Sequence, residues 1–162
     1  MKTLGLALIV LSVIGSVLYA DGISAYTTAG GYIHFITLRY TEIDIDIQDQ
    51  VATTEVINHF YVDTVPGARI SYYFPLPEGA SPVGFSVYCD GYWHPYTLNA
   101  GAPVDTVSGH GGTYNPDLMN YLGANRFICP IAENPTGNFA VKFTYTQLLS
   151  YLYGEMSYSY PL

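Results

Sequence analysis

The chain has 162 residues, of which 49% are hydrophobic and only 11% charged, with 17 tyrosines and a formal net charge of −8. That length fits one domain able to bury its own core without a metal or several disulfides. The acidic balance repels nucleic acid and anionic membranes, so neither is expected as a partner, and solubility is the simplest reason for it.

Met1-Lys2-Thr3 leads into a continuous apolar run, residues 4–18, that ends near Tyr19-Ala20. This is the layout of a secretory signal peptide, residues 1–20, cleaved after Ala20. Leu18 at the −3 position leaves a retained N-terminal anchor as the alternative, and only through residues 1–20 would the chain touch a membrane. The expected location is secreted, cell-surface or periplasmic. Removing residues 1–20 removes Lys2 alone among charged groups, so −8 becomes −9. Cys89 and Cys129 are the only cysteines. In an exported chain they invite a disulfide, with two separate thiols as the alternative.

Residues 21–30 are small and polar and read as a linker, with the domain proper at 31–162. Residues 32–40 are rich in β-branched and aromatic side chains and predict the first strand. Glu42, Asp44, Asp46, Gln48 and Gln50 then alternate with Ile43, Ile45 and Ile47, the clearest period of two in the chain. That pattern predicts acids on a solvated face and isoleucines on the core. Acids two apart on a strand point outward in parallel, and no glycine-turned loop surrounds them, so they do not build a calcium site. Asp49-Gln50 is the predicted turn, residues 51–62 a strand pair or one long bent strand, and residues 63–67 the next hairpin loop.

Residues 68–88 read ARISYYFPLPEGASPVGFSVY, two alternating runs around a corner with three prolines and Gly79. Ile70, Tyr72 and Phe74 share one face, Val83, Phe85 and Val87 another, and Leu76 is placed to plug the core. Asp90-Gly91 is a two-residue hairpin signal leading into a strand at 92–96. The glycine-rich residues 99–115 form a loop. Asn115 starts a short helix with Leu118, Met119, Tyr121 and Leu122 on its apolar side and Gly123 at its end. Closing strands are predicted at 126–131, 138–146 and 155–162, with residues 134–137 as a turn.

The run FPLPEGA followed by GF, preceded by Val51-Ala52-Thr53-Thr54-Glu55-Val56 and Phe60 and followed by Cys89-Asp90-Gly91, resembles the vault protein inter-alpha-trypsin (VIT) domain. Pro116-Asp117-Leu118-Met119, Phe127, residues 135–138 and 141–145, Leu148-Leu149 and Tyr160-Pro161-Leu162 continue the resemblance over residues 31–162. It implies an all-β antiparallel sandwich of VIT type with one short helix. The family's usual Lys/Glu/Ala-rich segment is missing at 99–115. A von Willebrand A domain often follows the VIT domain, yet Asp105-Thr106-Val107-Ser108 fails its D-x-S-x-S metal pattern, so the domain is read as standing alone.

Catalytic chemistry finds little foothold. His34, His59, His94 and His110 are candidates by residue type only, and no G-x-S-x-G elbow exists. Gly109-His110-Gly111-Gly112 resembles a fragment of an esterase oxyanion loop but reads more simply as a glycine loop. The scattered histidines and cysteines do not make a zinc set, and there is no phosphate-cradling loop, so no cofactor is expected. The expected function is an exported, non-enzymatic module for protein–protein interaction. A self-assembling subunit of a filament or surface layer is the alternative, and a hydrolase using His110 a third. Few charges and many tyrosines favour contact surfaces, and Tyr151, Tyr153, Tyr158 and Tyr160 at the C-terminal edge are the candidate contact residues.

Overall fold

A computed structural model describes residues 22–28, 32–98 and 116–161. The residues read as signal peptide or anchor, the 99–115 loop and His110 all lie outside that set.

Two antiparallel sheets face one another. The smaller has the order β2-β1-β5-β8, formed by β1 (Ile23–Thr27), β2 (Ile33–Phe35), β5 (Arg69–Pro75) and β8 (Arg126–Ile131). The larger has the order β3-β4-β9-β6-β7, formed by β3 (Thr37–Gln48), β4 (Val51–Val62), β6 (Ala80–Cys89), β7 (Tyr92–Pro95) and β9 (Gly137–Leu148). A separate hairpin pairs β10 (Ser150–Leu152) with β11 (Glu155–Ser157). The expected all-β, antiparallel architecture with one short helix is what the described residues adopt.

Alternation builds the core. Along β4, Ala52, Thr54, Val56, Asn58, Phe60 and Val62 are buried, while the residues between them face out. Ile70, Tyr72 and Phe74 of β5 meet them from the opposite sheet, and Phe85, Val87, Phe127, Phe139, Val141, Phe143 and Tyr145 complete the layer. The aromatic rings interlock in mixed geometries: Phe74 is tilted against Phe143 at 5.0 Å and Tyr145 at 5.6 Å, and Phe127 stacks on Phe143 at 4.4 Å. A buried polar chain links the two sheets through Asn58, whereas the buried Ser24 hydroxyl has no hydrogen bond. Tyr72 Oη donates to Asn58 Oδ1 at 2.7 Å, and Asn58 Nδ2 donates to Thr41 Oγ1 at 2.8 Å.

The helix α1 (Pro116–Leu122) covers the outer face of the smaller sheet, where Leu118 and Leu122 pack on Ala25 and Tyr73. Gly123, at φ 68°, ends it in the left-handed conformation that glycine adopts without a Cβ clash. The prolyl corner carries the chain from β5 in one sheet to β6 in the other, and Leu76 is buried there as expected.

Five expectations are corrected. The segment read as a linker contains β1, and Gly22 just before it is buried so tightly against the Tyr72 ring that a Cβ would collide. The 63–67 loop joins strands of different sheets and so is a crossover rather than a hairpin. Val83 does not share the inward face of Phe85: a bulge between Pro82 and Gly84 turns it out, leaving it 54% exposed. Ile43, Ile45 and Ile47 lie on the inward side, opposite Val56, Thr54 and Ala52, but they stay 43%, 40% and 45% exposed. The larger sheet overhangs the smaller one there.

Of the predicted closing strand at 155–162, only β11 is a strand, and residues 158–161 run on without one.

Candidate contact surface

The C-terminal tyrosines divide into two pairs. Tyr151 and Tyr153 belong to the β10–β11 hairpin, whose six strand residues are all exposed. Tyr158 and Tyr160 return to the protein's own core: Tyr158 Oη lies 2.7 Å from Thr54 Oγ1 and 3.3 Å from Tyr145 Oη, and the Tyr160 ring sits 6.3 Å from that of Phe74. Burial first, and the bond to Tyr158 second, raise the Tyr145 phenol above its usual range. The second pair therefore closes the sandwich, and the first pair is free to meet another molecule.

The hairpin is anchored where the larger sheet ends. Leu149 N–H donates to Gln50 O at 2.7 Å, and the strands close at the pair Leu152–Glu155. Tyr153 and Gly154 form its two-residue turn with φ of 54° and 89°, both in the left-handed region that such turns demand. Glycine fits that requirement and tyrosine does not. Among the described residues, the other non-glycine positions with positive φ are Asp49, Asp90 and Asn134, whose short polar side chains tolerate this conformation. Tyr153 is the exception, and it is also fully exposed. Exposed Leu148, Val51, Tyr151, Leu152 and Met156 accompany it at the same end of the molecule.

A polar cluster lies elsewhere, between the two sheets, and the sequence did not reveal it. Tyr96 follows β7, and Glu133 follows β8. Tyr96 Oη donates to Glu133 Oε2 and accepts from Ala132 N–H at 2.8 Å, while His94 Nδ1 stands 3.7 Å from Glu133 Oε1. His94 Nε2 is buried without a hydrogen bond. A histidine oriented by a carboxylate needs a nucleophile to become a catalytic set. Cys129 does not supply one: burial, with Glu133 adding, pushes its thiol up to about 12, far from a thiolate at neutral pH. Burial also raises Cys89. Both cysteines are free, on β6 and β8 of facing sheets rather than on adjacent strands.

The remaining candidates do other work. His59 stacks on Tyr40 at 4.0 Å and contacts Glu42 at 2.8 Å, and His34 stacks on Tyr26 at 4.9 Å. Among the described residues no group of three or more His, Cys, Asp or Glu can hold a metal ion, and no helix is long and apolar enough to cross a membrane.

No protein-family model, no curated protein and no solved structure matches the chain.

Proposed function

We propose that this chain is an exported, non-enzymatic β-sandwich module of VIT type that binds another protein through the β10–β11 hairpin, with Tyr151 and Tyr153 as its contact residues. One observation carries the reading: a fully exposed tyrosine holds a left-handed turn position at which asparagine or glycine would be more stable. Strain of that kind persists where the side chain is wanted for something else. Tyrosine suits a contact because it brings a large, rigid ring with a polar tip at low entropic cost. The second reading, self-assembly through the same hairpin, draws on its exposed backbone edges.

The test uses the whole chain with Tyr151→Asp and Tyr153→Asp together. Protein co-isolated with the wild type from outside the producing cell should be lost with the variant, whose melting temperature should stay within a few degrees. Retained co-isolation overturns the assignment. Sedimentation of the purified wild type at micromolar concentration separates the two readings: a monomer supports a different partner, and a concentration-dependent oligomer abolished by the variant supports self-assembly.

A further inference from the structure

We propose that β3 takes up an extended peptide segment, in which basic residues alternate with apolar ones, as a sixth strand of the larger sheet. This surface is separate from the hairpin and stands independently of its role.

The strand lies at the end of the sheet order and, among the described residues, pairs only with β4. Alternate residues of an edge strand direct both amide and carbonyl away from the sheet, so a row of unpaired groups runs along its outer side. All twelve residues are exposed except Thr41, which is partly so. Natural edges are protected by shortness, cover, proline, bulges or charge; this one is long and has no proline, its bulge is confined to Leu38–Tyr40, and its protection over residues 40–48 is the row of like charges Glu42, Asp44 and Asp46. Its inward side carries Ile43, Ile45 and Ile47, continuing the buried floor of Val56, Thr54 and Ala52 one strand beyond the cover of the smaller sheet. Its outward side carries Glu42, Asp44 and Asp46. Behind Asp44, the neighbouring Glu55 is paired with Lys142 at 3.3 Å, His59 contacts Glu42 at 2.8 Å, and Arg39 of the same strand lies over the Tyr61 ring.

Charge selects the occupant. A second copy pairing antiparallel about a two-fold axis would place carboxylate against carboxylate in the registers that keep the isoleucines together: Asp44 opposite Asp46 with Ile45 on the axis, or Glu42 opposite Asp46 and Asp44 opposite its own copy with Asp44 on it. Like charges directly opposite are destabilising. The net charge of −8 adds a longer-range repulsion between copies. A strand with Lys or Arg at alternate positions reverses both effects, setting its cations against Glu42, Asp44 and Asp46 while its apolar residues extend the isoleucine strip. Main-chain bonds supply affinity, and the alternation supplies register.

The probe is a fluorescein-labelled peptide, Lys-Val-Lys-Val-Lys-Val-Lys, titrated into the intact chain and read by anisotropy and by amide hydrogen exchange. A second peptide of the same composition with its lysines in one block controls for charge alone. The alternating peptide should bind at least tenfold more tightly than the block peptide and slow exchange within residues 41–48. Asp44→Lys with Asp46→Lys should weaken it at least tenfold. Ile45→Lys, an exposed change that leaves the fold intact, should do the same by placing a charge in the apolar strip, whereas Tyr151→Asp with Tyr153→Asp should leave it unchanged. No binding, equal binding of the two peptides, or slowed exchange outside β3 overturns the proposal. Paired β3 strands between copies of the protein without peptide overturn it as well.

Discussion

Phe74 touches Tyr72, Phe143, Tyr145 and Tyr160 and is fully buried. Truncation there removes the ring that links both sheets to the returning C-terminal segment. Phe74→Ala should cost ~3–5 kcal/mol in urea unfolding, and a loss under about 1 kcal/mol, the size of a surface change, would contradict its placement. Cys129 gives a prediction in pH. Its folded value of about 12 lies above the ~8.5 of an unfolded thiol, so the folded state keeps a proton that the unfolded chain loses. The associated stability is fully present below about pH 8.5 and declines as pH rises towards 12. Tyr96, raised by burial first and by its bond to Glu133 second, adds the same slope from about pH 10. Cys89, also raised by burial, keeps the onset in place, so Cys129→Ala should make the alkaline loss of stability shallower in a series of melts. An unchanged slope would show that the Cys129 thiol titrates normally.

At the scale of elements, the turns were the most legible part of the sequence. Asp90-Gly91 closes β6 onto β7 with φ of 54° and 91°, and Asp49 opens the turn between β3 and β4 at φ 56°. Both could be read because the residues match the backbone they must adopt. The Tyr153-Gly154 turn was not legible for the converse reason: tyrosine contradicts its own conformation, and only the folded structure reveals it. This gives a prediction with two signs. Tyr153→Asn should raise stability by ~1 kcal/mol through relief of the turn and at the same time weaken the protein contact. Both effects are measurable on one preparation, by urea unfolding and by co-isolation. Loss of stability on this substitution would mean that the tyrosine is there for the hairpin itself.

For the molecule as a whole, period-two alternation gave the inward faces of β4 and β5 correctly because each residue's side depends only on the pleat. It could not tell how far one sheet extends past the other. Ile43, Ile45 and Ile47 point the right way, yet among the described residues they remain exposed at the edge of the larger sheet. Nor did local pattern distinguish hairpins from crossovers, since the 63–67 loop has turn residues in either case. β1 was hidden by a composition of small residues, and its place beside β5 depends on a glycine yielding room to Tyr72. The Glu133, Tyr96 and His94 cluster joins positions 37 residues apart and had no local signature. On the proposed readings, what the sandwich offers to another molecule lies at its margins: the hairpin, and the edge of β3 that is uncovered among the described residues. The most direct measurement is photo-crosslinking of the full chain in its producing cell, with a benzophenone side chain placed singly at positions 151, 153, 63 and 97, all exposed. A discrete protein adduct from positions 151 and 153, absent from 63 and 97, is the expected result. Adducts from all four positions alike, or from 63 and 97 alone, would contradict binding through the hairpin.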